Sequence, residues 1–404
     1  MTRPVPGTPS WLRETNERTA LSLFLEHGRL TRNRLGELSG LSKPTASQIV
    51  SRLEWAGIIE AVGEVSGGRG PNAASYAVRS ERVLGVAVDI ADGVIRSTVV
   101  DALGTEHPVV ETAMDPADGE RSAVADIHTA IDSACAAADL DAEAVRIVAI
   151  GLQGSIDPRS DELSFIDTLP GWPRKGVSAK LADALGRDVR IDNDVNLAAI
   201  AERAEGAGRG ASSFALLWIG EGLGLAVDLA GTVHRGAAGG AGEIGYLPVP
   251  AVAAAVDPHA GTLQDLLGGA AIAELAAAEG VAAGSTSELR ASLETHPARH
   301  AVLAAFASRV VLGIVPVLAI LDPATIVLGG PLGTAAGESL ARLVSTEIAR
   351  AGLWKPEVAA SAVPQFPVLR GARHVLEREV RQRLLDELGT ISQQPDQGSG
   401  AHAT

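Results

Sequence analysis

Two short segments carry side chains suited to reading a polar ligand. Ile191-Asp192-Asn193-Asp194-Val195-Asn196 sets an amide and a carboxylate at the end of a short apolar run, and the stretch from Gly236 to Tyr246 embeds Glu243 among glycines. A sugar presents a ring of hydroxyls that both donate and accept, so a carboxylate, an amide and a backbone group converging at a strand end can read it specifically. The plainer alternatives are a turn-capping Asp-Asn-Asp and a helix-capping glutamate.

A second set lies near the N-terminus, where Lys43, Thr45, Ser47, Gln48, Ser51 and Arg52 share one side of a helix-like stretch. Short hydrogen-bonding side chains with two cations suit base edges and phosphates in a DNA major groove. The elements needed to present them are legible. Thr31 caps a first short helix that turns Leu35 and Leu38 inward, Ser39-Gly40 makes the turn, and Ser42 caps a second helix with Pro44 in its first turn. Ala46, Ile49, Val50 and Leu53 then recur at helical spacing as the apolar stripe. Strands at 58–65 and 75–78 flank a glycine-rich loop with Arg69 at its centre, placed to enter a minor groove. The expectation is a winged helix-turn-helix over residues 1–80. Residues 1–80 hold 10 Lys+Arg and 7 Asp+Glu, net +3, in a chain of net −15; a basic end on an acidic body fits a DNA module joined to a soluble domain.

The 404 residues allow two or three domains, and with aromatics at only 3% their cores must be aliphatic. Cys135 is the single cysteine, which excludes an intrachain disulfide or a cysteine zinc site. The first ten residues lack a secretory pattern, and the longest apolar run, Val310 to Leu321, is interrupted by Pro316 and reads as too short for a bilayer core of roughly 30 Å. These features predict a cytoplasmic protein without a membrane partner, ending in a disordered tail over 389–404.

From Val83 onward short apolar strands alternate with helices. A hairpin at 83–100, a helix at 122–138 and a strand at 144–152 lead to a helix at 176–185, a strand at 189–191 and a helix at 197–206. A second series follows: strands at 214–219, 223–229 and 232–234, helices at 263–279, 287–293 and 299–321, a strand at 325–328, and a C-terminal helix at 373–388. The repeated order predicts an α/β body of two duplicated lobes, 81–200 and 201–388, with the C-terminal helix packing back on the first lobe and a ligand cleft between them.

Gly151 to Asp157, Gly171-Trp172, the 191–196 segment, the Glu243 segment and Ile326-Val-Leu-Gly329-Gly330 together resemble the ROK family of sugar kinases and sugar-responsive regulators, over nearly the whole chain. The resemblance implies an actin-like, ribonuclease H-like duplicated sugar-kinase fold. It also implies a ligand site built from Gly154, Asn193, Asp194, Glu243, Tyr246 and Gln264, with Asp194 matching the kinases' catalytic base.

Departures from the family pattern redirect the function. The phosphate hairpin, Asp-Ile-Gly-Gly-Thr-Lys in the kinases, reads Asp89-Ile90-Ala91-Asp92-Gly93-Val94 here, and the second phosphate loop, Gly220 to Gly224, carries Glu221. Both put acids where phosphates would sit. The family's zinc histidine is Tyr246, and 251–264 holds no cysteine, so no metal and no nucleotide cofactor is expected. Gln264 replaces a sugar-binding glutamate, and Tyr246 either stacks on a sugar or plugs the space left by the metal. The expected protein is a sugar-responsive regulator, most simply a repressor, acting on operator DNA as a homodimer or homotetramer. The alternatives are a sugar kinase with an added DNA-binding domain and a constitutive DNA binder with a vestigial cleft.

Overall fold

A computed structural model describes residues 7–65, 72–91, 93–114, 121–165, 169–281 and 283–391. Arg69, Asp92 and the chain after residue 391 lie outside these. The N-terminal part opens with a helix that the hydrophobic spacing did not reveal, α1 (Pro9–His27), capped by Thr8, whose hydroxyl accepts from the Trp11 amide at 3.3 Å. Only Ala20, Leu21 and Phe24 form its fully buried side, too few to register as a stripe. Then come β1 (Leu30–Thr31), α2 (Arg32–Ser39) and α3 (Lys43–Trp55), with Thr31 and Ser42 as caps and Gly40 in the left-handed turn between the helices, as their residue types require. Strands β2 (Ile59–Val65) and β3 (Ala73–Val78) complete a small antiparallel sheet in the order β1-β3-β2.

The first lobe comprises β4 (Leu84–Ala91), β5 (Val94–Val100), β6 (Val110–Ala113), α4 (Ala123–Ala138), β7 (Val145–Leu152), the hairpin β8 (Ser155–Asp157) and β9 (Glu162–Ser164), α5 (Val177–Leu185), β10 (Asp188–Asn193) and α6 (Asp194–Glu205). The second comprises β11 (Ser213–Ile219), β12 (Leu223–Leu229), β13 (Thr232–Val233), α7 (Leu263–Leu267), α8 (Gly269–Ala278), α9 (Thr286–Thr295), α10 (Arg299–Leu321), β14 (Thr325–Gly329), α11 (Gly330–Ala351, kinked at Gly337), β15 (Glu357–Ala360) and α12 (Pro367–Ile391). The two sheets, β10-β7-β4-β5-β6 and β13-β12-β11-β14-β15, share one topology. In each, three strands form an antiparallel meander and the first of them pairs in parallel with the fourth, which pairs in parallel with the fifth. The lobes are thus duplicates of one α/β unit, as the repeated order predicted.

Several local expectations change. The helix expected at 263–279 is two helices, broken at Gly268, whose backbone is extended. Helix α11 and strand β15 had no distinct sequence signal. The run at 310–321 belongs to a 23-residue helix that continues through Pro316, so α10 is in fact long and apolar enough to cross a membrane by length and composition; 50% of its most apolar window is buried inside the fold. Residues 389–391 of the expected tail belong to α12, and the rest of it lies outside the described residues.

Helix α12 ties the parts together. It packs on β4, β7 and α6 of the first lobe, so closely that a Cβ on Gly371 would stand 1.8 Å from the Leu197 carbonyl oxygen. Its far end places Leu384 and Leu388 in one apolar core with Ala20, Leu21 and Phe24 of α1. Ion pairs Arg18–Asp386 at 2.7 Å and Arg82–Glu387 at 2.6 Å reinforce that junction.

Candidate ligand cleft and DNA-facing helix

Between the lobes lies a cleft of about 1220 Å³, and Gly154, Asn193, Asp194, Glu243, Tyr246 and Gln264 all line it. Asn193 ends β10. Its Oδ1 accepts from the Val195 and Asn196 amides at 2.9 and 3.1 Å, capping α6, while its Nδ2 donates to the Gly154 carbonyl at 3.0 Å. The capping alternative therefore describes the oxygen, and the same side chain locks Gly154 to the strand end.

Asp194 begins α6 beside it, with Oδ1 accepting from the Val195 amide at 2.9 Å. Burial in the cleft, joined by the nearby Asp89 and Glu243 carboxylates, pushes its carboxyl up to about 7. Glu243 is likewise raised by burial, and although it precedes a short 3₁₀ turn, its side chain makes no capping bond. The capping alternative fails there. Asp89, a contributor without a role in the motif reading, is buried two residues before the end of β4 and receives Arg96 Nη1 at 3.3 Å. A carboxylate inside an otherwise apolar strand was its sequence signal.

The raised Asp194 group carries a pH signature. In the unfolded chain it ionises near the ordinary aspartate value, whereas the folded chain keeps its proton to about pH 7. The stabilisation is full below pH ~4 and is lost as pH rises through about 7. Asp194→Asn is expected to flatten the decline in melting temperature between pH 5 and pH 8, a difference of roughly 2 kcal/mol once partial exposure is allowed for. An unchanged slope would show that another group titrates.

Tyr246 is 59% exposed, which excludes the plugging role, and its ring stands 5.4 Å from that of Phe165, tilted by 51°. Gln264 has another task. Its Oε1 accepts from the Leu223 amide at 2.7 Å and its Nε2 donates to the Glu221 carbonyl at 2.9 Å, so the amide braces the 220–224 turn. The Gly220 amide in turn donates to the Gly222 carbonyl at 3.1 Å. Two amides of this turn are thus already bonded, and the Glu221 carboxylate, bonded by the Thr286 hydroxyl at 3.1 Å, stands on the cleft wall. A carboxylate on this wall and two bonded amides oppose an anion at this turn.

On the winged helix-turn-helix, Ala46, Ile49, Val50 and Leu53 are buried as the stripe required, while Lys43, Gln48, Ser51 and Arg52 are exposed and Thr45 and Ser47 half-buried. Thr45 shares a 2.8 Å hydroxyl contact with Ser42. Arg52, expected as a DNA-facing cation, is exposed and also pairs through its Nε at 2.7 Å with Glu17, a carboxylate only 3% exposed on α1. A buried carboxylate demands a partner, and Arg52 supplies it. Glu17 could not be foreseen because α1 itself was not.

The sequence model of the ROK family matches residues 86–379. This chain belongs to the ROK family. A winged helix-turn-helix DNA-binding model matches residues 13–60 of this ROK protein. The xylose repressor of Caldicellulosiruptor bescii is 23% identical over 247 residues, 60% of this chain and 61% of the repressor. The glucokinase of Thermotoga maritima is 33% identical over 109 residues, 27% of this chain and 34% of that enzyme. The ROK chain thus spans about three fifths of the repressor's length. Among solved structures, a ROK family transcriptional regulator described as a homolog of the E. coli MLC protein superposes with TM-score 0.65 at 19% identity, covering 94% of this chain and 98% of the other. That likeness is one of fold.

In this ROK protein the loop that follows Tyr246 does not fit the family's zinc. It contains His259 and no cysteine, and among the described residues no group of three or more His, Cys, Asp or Glu could hold a metal. The Arg309 guanidinium of α10 meets Asp257 at 3.0 Å in a buried pair and donates to the Val256 carbonyl at 3.3 Å. Asp257 Oδ1 then accepts from the His259 and Ala260 amides at 3.0 and 3.2 Å. The motif reading missed this pair, because its partners lie 52 residues apart on elements whose contact only the fold creates.

Proposed function

We propose that this ROK protein is a sugar-responsive transcriptional repressor rather than a kinase. The observation that carries the reading is a cleft that keeps its hydroxyl-reading groups, Asn193, Asp194 and Glu243, while its phosphate turn is closed by Gln264 and Glu221. Residues 1–80 act as the DNA-binding domain, 81–200 and 201–388 as the two sensor lobes, and operator DNA and a sugar or sugar derivative as the partners. The protein works on DNA in the cytoplasm as a homodimer or homotetramer, reading half-sites about one helical turn apart or a multiple of it. Helix α12 spans from Val368 in the cleft wall to Leu388 in the core shared with α1, which gives the ligand a path for favouring one placement of the winged domains over another.

Lys43→Ala is expected to weaken operator binding and to reduce the slope of log K against log salt by about one. The measurement is fluorescence anisotropy on an operator selected from random duplexes. Glu243→Ala should leave that binding intact and remove its response to sugar; a response that persists would place the sensing site elsewhere. One observation favours a kinase: Asp194, titrating near neutrality, suits a general base. Sugar-dependent ATP turnover that vanishes in Asp194→Asn would replace the repressor reading with that one.

A further inference from the structure

The cleft is larger and differently furnished than a single sugar requires. At about 1220 Å³ it exceeds the roughly 300–1,000 Å³ typical of sites for drug-sized ligands, and a single pyranose is smaller than those. The hydroxyl-reading groups lie together on its wall: Asn193 bonds the Gly154 carbonyl at 3.0 Å, and Asp194 follows it within the field of Glu243. The 220–224 turn meets α9 through the Thr286–Glu221 bond and the start of α11 at Pro331, and these elements contribute Glu221, Arg290, Glu294 and Thr334 to the wall.

This second part offers hydroxyl, carboxylate and guanidinium groups. The Gly220 and Leu223 amides of its turn are bonded within the protein, and two of its charged side chains are acids. Such a wall suits a neutral polyhydroxyl group, which pairs with donors and acceptors of either kind.

Aromatic rings are distributed in the same way. The chain has only five Phe, five Trp and two Tyr, yet Phe165, Trp218, Tyr246 and Phe366 all line this cleft. The Phe165–Tyr246 pair stands near the sugar-reading segment, and Trp218 adjoins Gly220, its Nε1 within 3.4 Å of where a Cβ on that glycine would lie. Each part of the cleft therefore has an aromatic surface on which the apolar face of a sugar ring can rest.

Building on the sensor reading above, we propose that the effector is a neutral disaccharide or longer glycoside. One sugar is read by Asn193, Asp194 and Glu243, and the next extends past Trp218 toward Glu221 and Thr334, in the space that a nucleotide would need in a kinase.

The test is isothermal titration of the full-length protein with glucose, xylose, cellobiose, maltose and xylobiose, and with glucose 6-phosphate and ADP as charged probes. At least one disaccharide is expected to bind about tenfold or more tightly than its constituent monosaccharide. Thr334→Trp, a bulky addition at an exposed position in the second part, should erase that preference while monosaccharide affinity and ligand-free operator binding change by less than about twofold. Thr334→Ser should retain the preference. Equal binding of mono- and disaccharides, or tighter binding of ADP or glucose 6-phosphate, would overturn the proposal and leave the sensor standing. Absence of binding by every sugar would remove the sensor reading, and this one with it.

Discussion

Replacing Gly242 with alanine is expected to abolish the sugar response while leaving operator binding intact. Gly242 has φ +93°, and a Cβ there would stand 1.8 Å from the Leu225 carbonyl oxygen in β12. That conformation alone costs an L-residue about 1–3 kcal/mol, and the clash is with main chain that no rotamer change can move. The Gly242 carbonyl also accepts from the Leu225 and Ile244 amides at 3.2 and 2.7 Å, so the displaced peptide is the one that aims Glu243 into the cleft. Ligand at about 100 times its Kd stabilises the native state by about 2.7 kcal/mol, a melting shift of several degrees, which Gly242→Ala should reduce to near zero. The winged domain lies on other elements, so anisotropy on the operator should match the parent protein within about twofold. A full ligand-induced shift in this variant would mean that Glu243 is not held by this turn.

Arg309→Met is expected to cost roughly 3–5 kcal/mol, lowering the melting midpoint by about 10 °C, because it leaves Asp257 buried without its cation. The damage should spread along a defined route. Asp257 orders the segment up to Gly261, where the capping box of Thr262 and Asp265 starts α7, and α7 presents Gln264 to the 220–224 turn. The double variant Arg309→Met with Asp257→Leu removes both charges and should recover much of the loss, as calorimetry of the four proteins of the cycle would read. If the double variant is no more stable than Arg309→Met, the pair is not what holds this loop.

What was legible in the sequence was whatever local chemistry encodes. Thr31, Ser42 and Gly40 fix the ends of α2 and α3 through their own side chains and backbone freedom, and the stripe at 46, 49, 50 and 53 follows from helical periodicity. The alternation of strands and helices foretold two lobes, and all six ligand candidates line one cleft because the end of β10, the loops after β7 and β13, and α7 converge there. Elements with weak periodicity escaped: α1 buries few residues, and α11 begins in a glycine- and alanine-rich stretch.

The roles within the site were less legible than its membership. Gln264 and Arg52 are each engaged by a group far away in sequence, which local pattern could not show: the 220–224 turn in one case, Glu17 in the other. Asp194 offers the same contrast. Its place at a strand end is local, whereas its neutrality near pH 7 arises from burial and from carboxylates contributed by β4 and by the Glu243 turn. By itself the sequence determined which residues cap, which turn, which face inward and which family pattern they fit, since those depend on neighbours a few positions apart. Only the tertiary structure decided which polar groups are already satisfied and which face open space, because desolvation and hydrogen-bond pairing depend on what the fold brings within a few ångströms.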